Sequence, residues 1–164
     1  MIIVGFDPGI ATLGYGVISV DGKGRAEMVD YGIISTPKDT PLPDRLIMLE
    51  KGINQVIDSF HPEEIAIEEL FFAKNVKTGI TVAHARGVLL LTATKKCGKI
   101  FEYTPLQIKQ ALTGYGRAEK IQIQSMVKTF LKLKAIPKPD DAADALAVAL
   151  THAQTKRFSG LFKI

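Results

Sequence analysis

The stretch IIVGFDPG, residues 2–9, ends an apolar run with an aspartate. Residues 2–6 have the composition of a buried strand, and Pro8-Gly9 marks a turn after it. Asp7 therefore lies at the end of a predicted strand, where an ordinary turn aspartate would bond to its own backbone. A carboxylate beside continuous hydrophobic sequence loses hydration, so several such acids together are tolerable mainly around a cation.

The residues after Asp7 predict an antiparallel meander followed by a helix. Strands are predicted over 12–20 and 25–35, with the turn DGKG at 21–24 between them. Apolar residues then recur at helical spacing over about 45–59, and Asp44 is the predicted N-cap of this helix.

The rest of the chain alternates strands with helices. The predicted elements are a strand over 64–71, a helix over 76–95, a strand over 99–103, a short helix opened by Thr104-Pro105, a helix near 118–132 and a last helix from about residue 141. This order predicts an α/β fold in which a mixed five-stranded sheet is flanked by helices. With 164 residues, 46% of them hydrophobic, we expect one domain over residues 1–155 and a short basic tail over 156–164.

A second acidic position lies at the end of the strand predicted from residue 64, where Glu68 and Glu69 are adjacent. Strand side chains alternate, so these two glutamates cannot both face the side of a regular strand that Asp7 faces. Period 2 groups Glu68 with Ala66 and leaves Glu69 on the other face. The spacing alone does not decide which glutamate joins Asp7, because both faces of the sheet are predicted to be covered.

A third acidic position opens the last helix, where Asp140, Asp141 and Asp144 fall within five residues. Asp140 is suited to cap the helix, and acids in a first turn gain about 0.3 to 1 kcal/mol each from the helix dipole. Capping does not explain three acids, whose repulsion opposes that gain unless a cation is near. Asp144 shares a helix face with Asp141 at i,i+3 and with Asp140 at i,i+4. We favour Asp140 as the cap and Asp141 as the metal ligand, and both pairings stay open.

Oxygen ligands must hold any metal in this chain. The single cysteine, Cys97, cannot form an internal disulfide, and the three histidines are scattered. Hard divalent ions such as magnesium prefer carboxylate oxygens, and phosphodiester cleavage uses such ions. The sequence contains no Ser-His-Asp arrangement or nucleophile elbow with partners. These observations predict a metal-dependent nuclease.

Charge is unevenly distributed along the chain. The formal net charge is +4, but residues 1–94 hold 8 Lys/Arg against 12 Asp/Glu, a balance of −4, and residues 95–164 hold 13 against 5, a balance of +8. This split predicts an acidic centre beside a cationic surface that attracts phosphates. There is no run of about eighteen uncharged apolar residues, so we expect no membrane span, no secretory leader and a cytoplasmic location.

The long helix predicted over 76–95 carries several small residues. Small side chains permit close approach of another helix, either within the fold or across a dimer interface, and both interpretations stay open. The residues concerned are Gly79, Ala83, Ala85 and Gly87.

Four segments resemble the RuvC family of bacterial Holliday junction resolvases. They are GFDPGIATLGYGVI (5–18), AIEELFFAKN (66–75), TPLQIKQALTGYGRAEK (104–120) and DDAADALAVALTHA (140–153). The resemblance extends over roughly residues 2–152 and keeps the motifs in order. It implies a ribonuclease H-like fold and a homodimeric endonuclease that resolves four-way DNA junctions by two symmetric nicks, during homologous recombination and repair.

The resemblance also implies a set of site residues. Asp7, Glu68, Asp141 and Asp144 match the catalytic acids, which would hold two Mg²⁺ ions per subunit, with Mn²⁺ able to substitute. Glu69 falls outside this set, and Asp140 is an addition to it.

Three further positions match DNA contacts of the family. Phe71 matches an aromatic residue that projects toward unpaired bases at the crossover, and we leave Phe72 to packing. Lys109 and Lys120 match basic positions that contact the junction backbone. The branch-migration proteins RuvA and RuvB are the partners that this resemblance implies.

Three other classes of protein are alternatives to this interpretation. Asp-x-Gly after a strand also opens the phosphate loop of actin-like ATPases and sugar kinases, but these need two copies of the domain, and no internal repeat is visible here. A silent binding module would not be expected to keep four suitably placed acids. An RNA-processing nuclease of ribonuclease H type would prefer substrates with 2′-hydroxyl groups.

Overall fold

The computed structural model describes residues 1–70 and 76–164, without the side chains of 157–159. Within these ranges the elements are β1 (Ile2–Asp7), β2 (Thr12–Val20), β3 (Ala26–Ser35), α1 (Leu42–Phe60), β4 (Glu64–Glu68), α2 (Val76–Lys96), β5 (Ile100–Tyr103), α3 (Pro105–Thr113), α4 (Lys120–Phe130), α5 (Asp140–Thr155) and a 3₁₀ helix (Lys156–Leu161). In those same ranges, none of the helices has the length and apolar character that crossing a bilayer requires.

The five strands form one mixed sheet in the order β3-β2-β1-β4-β5. The pairs β1–β2 and β2–β3 are antiparallel, whereas β1–β4 and β4–β5 are parallel. The predicted α/β fold with a mixed five-stranded sheet is therefore confirmed. Because β1 and β4 are parallel neighbours, their carboxyl ends, Asp7 and Glu68, lie at the same edge of the sheet.

The two faces of the sheet carry different helices. Alternate side chains of β1 face opposite sides. Ile3 packs in a buried cluster with Leu146 of α5, whereas Val4 packs in a second cluster with Leu49 of α1. Helices α3, α4 and α5 cover the first face, and α1 and α2 cover the second. Asp7 has the parity of Ile3, so it belongs to the face that α5 covers.

Helix α5 lies directly against the backbone of β1 and β2. A Cβ atom at Gly5 would lie 2.2 Å from the carbonyl oxygen of Ala145, and one at Gly14 would lie 2.0 Å from that of Asp141. No real side chain tolerates such distances. Helix α5 can therefore approach the strand backbone this closely only because Gly5 and Gly14 have no side chain. Gly14 pairs in register with Asp7. The start of α5 is thereby held beside the end of β1.

Two predicted boundaries need correction. Helix α1 begins at Leu42 with Pro41 as its N-cap, so the prediction that Asp44 caps it is wrong. Proline is accepted in a first helical turn, and Pro43 allows the helix to start earlier, leaving Asp44 in the first turn beside the helix dipole. The strand predicted over 64–71 ends at Glu68.

The last residues of the chain run along the free edge of β5. The amide of Glu102 donates to the carbonyl oxygen of Phe162 at 2.9 Å, and the amide of Ile164 donates to that of Ile100 at 3.0 Å. The ring of Phe162 also lies 4.9 Å from that of Tyr103. This segment pairs with backbone groups that an edge strand would otherwise expose.

Candidate active site

Three carboxylates meet where β1 ends and α5 begins. One ligand oxygen from each of Asp7, Asp141 and Asp144 lies within 4.8 Å of the others. Asp141 and Asp144 are one helical turn apart and share a face of α5. The close approach of α5 to the sheet at Gly14 brings that face to Asp7. The structure thus joins the first and last acidic positions of the chain.

Glu68 joins this group through Asp7. On β4, Ala66 packs in the cluster under α5, while Ile67 packs on the opposite face. Alternation therefore places Glu68 on the α5 side of the sheet, where the Asp7 carboxyl donates a hydrogen bond to it. Glu69 is exposed and outside the group; its amide donates to the sheet. The period-2 grouping of Glu68 with Ala66 is confirmed.

Burial makes this cluster unfavourable as a set of four charges. Burial, together with the neighbouring carboxylates of Glu68 and Asp144, raises the pKa of Asp7 to about 9. Burial also raises the pKa values of Glu68 and Asp144. With its pKa at about 9, the Asp7 carboxyl keeps its proton at neutral pH unless a cation replaces it. The donor set, all carboxylate oxygens, is the one that hard divalent cations prefer.

Lys120 lies at the rim of the cluster. Its ammonium donates to Oδ2 of Asp144 at 3.0 Å and lies 3.7 Å from Oδ2 of Asp140. Burial alone would lower the pKa of Lys120, but the hydrogen bond and charge of Asp144 and the charge of Asp140 outweigh burial and raise it. Lys120 is therefore a fixed positive charge next to the buried acids.

The acids open into a cleft. One hollow is lined by Glu68 and Asp144 together with Lys109 and Lys120. An adjoining hollow contains Asp7 and shares Glu68 with the first. The two lysines predicted to contact DNA thus line the same cleft as the predicted metal ligands. Phe71 and Phe72 lie outside the described residues.

Asp140 does not cap α5, and that prediction is wrong. The N-cap is Pro139, and Asp140 is the first helical residue, without a side-chain cap bond. Its carboxylate instead accepts from Nε2 of Gln124 at 3.2 Å and from Nζ of Lys138 at 3.2 Å. Those donors turn Asp140 toward α4, and it is not among the three carboxylates that converge.

The loop after Asp7 is held by residues that the sequence did not single out. The Thr36 hydroxyl donates to the carbonyl oxygen of Ile10 at 2.5 Å and accepts from Nε of Arg45 at 2.8 Å. A threonine just after a strand carries no signal for this role. Gly14 did carry one, since a glycine inside a strand pattern marks close backbone approach.

We expect Asp7→Asn to stabilise the metal-free protein, increasingly so as the pH rises. The pKa of Asp7 rises from 3.8 to about 9 on folding. Between those values the folded chain binds a proton that the unfolded chain releases, so a higher pH favours unfolding of the wild type. Asparagine has no such proton to lose. Melting temperatures in EDTA at about pH 5 and about pH 8.5 test this, with the exposed Asp39→Asn as control. A difference in melting temperature between Asp7→Asn and wild type that is the same at both pH values would contradict this prediction.

Comparison with known proteins gives one consistent family. The family model for crossover junction endodeoxyribonuclease RuvC matches residues 3–152. A relative of that name from Alkaliphilus oremlandii is 54% identical over 164 residues, covering 100% of this chain and 99% of its own. Another from Ruminiclostridium cellulolyticum is 53% identical over 161 residues, covering 98% and 96%.

Solved structures give the same result. The chain is similar to Thermus thermophilus RuvC in complex with a Holliday junction substrate, with a TM-score of 0.92 and 37% identity over 99% of this chain and 98% of that one. The yeast mitochondrial Holliday junction resolvase Ydc2 shares the fold, with a TM-score of 0.69 at 14% identity over 97% and 83% of the two chains.

Proposed function

The chain belongs to the RuvC family of crossover junction endodeoxyribonucleases, and from this membership we propose that it resolves Holliday junctions by two symmetric, metal-dependent nicks. The reaction would serve homologous recombination and DNA repair. The observation that carries the proposal is the convergence of Asp7, Asp141 and Asp144, with Glu68 bonded to Asp7, beside a cleft lined by lysines.

The four acids fit divalent cations, and we assign two Mg²⁺ ions per subunit, with Mn²⁺ able to substitute. The ligand oxygens of Asp7, Asp141 and Asp144 lie within 4.8 Å of one another and Asp7 is hydrogen-bonded to Glu68, so these four side chains would hold the ions. The raised pKa values of the buried acids favour a cation over an empty cluster of charges. Oxygen-only ligands suit Mg²⁺ and Mn²⁺ over softer metals.

The protein itself would contribute to the reaction by holding charged side chains in fixed positions around the phosphate that is cleaved. Bound divalent ions would supply the activation of water and the stabilisation of the leaving oxygen. Asp141 and Asp144 are held by α5, and Glu68 by β4, on a rigid sheet. Lys109 and Lys120 line the same cleft, where they would bind the DNA backbone. The described residues that line the cleft include no serine, cysteine or histidine to act as a nucleophile.

A junction cleavage assay tests the proposed function directly. With Mg²⁺, the purified protein should nick a synthetic four-way junction at symmetric positions and leave a linear duplex of the same sequence intact. An RNA–DNA hybrid of that sequence should also stay intact. Equal cutting of junction and duplex would remove the junction specificity, and preferred cutting of the hybrid would favour an RNA-processing nuclease. The family match over residues 3–152 does not favour a nucleotide-binding domain.

The active form would be a homodimer, because a two-fold enzyme matches the two opposed strands that must be cut. Helix α2 offers a surface for it. Of the small residues noted in the sequence, Gly79 and Ala85 are buried against the fold. The other two small residues lie on the exposed side of α2, together with two large apolar residues. A face of this kind is expected where a helix packs against a second copy of the chain. That exposed side contains Ile80, Ala83, Gly87 and Leu91.

Further expectations of the family complete the proposal. Phe71 would contact unpaired bases at the crossover, RuvA and RuvB would be the protein partners, and DNA as substrate would place the protein in the cytoplasm. The nuclease domain would comprise residues 1–155, with residues 156–164 as a basic extension.

A further inference from the structure

Tyr115 is an exposed aromatic residue near the cleft, and the mechanism proposed above does not use it. Tyr115 lies in the loop between α3 and α4, and 46% of its surface is accessible. Leu106, at the start of α3, and Ile121, at the start of α4, are each 54% exposed. Exposed apolar side chains thus occur in this loop and at the start of each flanking helix.

The loop holds the Tyr115 ring in a fixed position. The phenol donates to Oε1 of Gln122 at 2.8 Å, and that oxygen also accepts from the amide of Glu119 at 2.7 Å. The Thr113 hydroxyl donates to the carbonyl oxygen of Tyr115 at 3.0 Å. Gly114 makes the turn out of α3 with φ at 84°. A ring held in place while exposed loses little conformational freedom on binding.

The loop of Tyr115 and the two helices that it joins carry more positive than negative charge, with four Lys/Arg against one Glu over residues 105–130. Lys109 of α3 and Lys120 of α4 line the cleft with the catalytic acids, and Tyr115 lies in the connection between these two helices. Arg117 is exposed in the same loop. A surface with this charge attracts phosphates, so the ring would face a nucleic acid strand in preference to an acidic or neutral partner.

We propose that Tyr115 stacks on an unpaired base of the junction at the edge of the cleft, and so helps to hold the crossover against the enzyme. The inference rests on the proposed function, because it takes junction DNA as the ligand. Exposed aromatic rings within cationic grooves are the usual platforms for unpaired bases, and they accept any base because every base has a π face. Arg117 would hold the phosphate beside that base.

Two substitutions at Tyr115 separate stacking from hydrogen bonding. In EDTA, where the DNA stays intact, Tyr115→Ala should bind a four-way junction about tenfold more weakly than wild type. Tyr115→Phe should bind within about twofold of wild type, because the ring rather than the phenol makes the contact. Binding to a linear duplex, which offers no unpaired base, should change less than about twofold in either variant. Wild-type affinity of Tyr115→Ala for the junction would overturn the proposal.

A crosslinking experiment gives an independent readout. Junctions carrying 5-iodouracil at single positions next to the crossover are bound and irradiated, and the crosslinked peptide is identified by mass spectrometry. We expect a crosslink to Tyr115 from at least one position, kept in Tyr115→Phe and lost in Tyr115→Ala. A wild-type junction complex without that crosslink would also overturn the proposal. Binding of a protein partner would then be the better explanation for the exposure of Tyr115, Leu106 and Ile121. If the wild type did not prefer junctions over duplex at all, the proposed function itself would fail.

Discussion

Asp7→Asn should lower the rate of junction cleavage on the order of a thousandfold or more while junction binding persists. A ligand oxygen of Asp7 lies within 4.8 Å of those of Asp141 and Asp144, and Asp7 is hydrogen-bonded to Glu68, so its loss removes a ligand from the proposed metal site. Losing metal-based stabilisation of several kcal/mol corresponds to a rate loss of about this size. The cationic surface that attracts the phosphates, including Lys109 and Lys120, stays in place.

The measurement is single-turnover cleavage of a labelled junction with Mg²⁺, beside a gel-shift assay in EDTA. Glu50→Gln is the control, because Glu50 is exposed on α1, which covers the face of the sheet opposite the acids. The control should cut within about twofold of wild type, since surface substitutions rarely matter. Cleavage by Asp7→Asn within tenfold of wild type would refute the role of Asp7, and loss of binding in EDTA would show that the substitution damaged the fold.

Gly14→Ala should lower the cleavage rate about a hundredfold. The added methyl group would lie 2.0 Å from the carbonyl oxygen of Asp141, so α5 must move away from β2. Displacement of a catalytic group by about 1 Å typically costs about that factor in rate. Asp141 and Asp144 would both shift away from Asp7, because the helix carries them together. Overpacking should also destabilise the fold by about 1 to 3 kcal/mol.

Gly22→Ala is the control for this substitution, because a Cβ atom at Gly22 would meet nothing within 4 Å. Thermal melts set an assay temperature at which both variants are folded, and cleavage is then compared there. The expected pattern is a slow but folded Gly14→Ala and an unaffected Gly22→Ala. A Gly14→Ala enzyme with wild-type rate would show that the close approach of α5 does not position the acids.

Much of the fold could be predicted from the sequence because its signals are local and periodic. Alternation along EIAIE placed Glu68 with Ala66, and the packing of Ala66 under α5 explains why that grouping holds. Helical spacing placed Asp144 on one face with Asp141 and with Asp140, without choosing between them. The family resemblance was needed to choose Glu68 and Asp141 over their acidic neighbours, since spacing left each choice open.

The errors lie where the outcome depends on distant or unusual partners. Asp44 and Asp140 were predicted to cap helices, and in both cases a proline precedes the helix and takes that position. Asp140 is oriented by Gln124, which comes from another helix and has no local signature. The approach of α5 to Gly14 is likewise a tertiary contact, and the sequence offered only the glycine itself as a hint.

In the metal-free protein, Asp7 and Glu68 share a proton. Metal binding at these acids must therefore release that proton. Each released proton makes the apparent affinity for the metal fall about tenfold for every unit of acidification below the governing pKa. The fraction of enzyme molecules with bound metal would then depend on both the pH and the concentration of free magnesium. At a fixed concentration of free divalent cation, acidification should therefore lower the rate of junction cleavage.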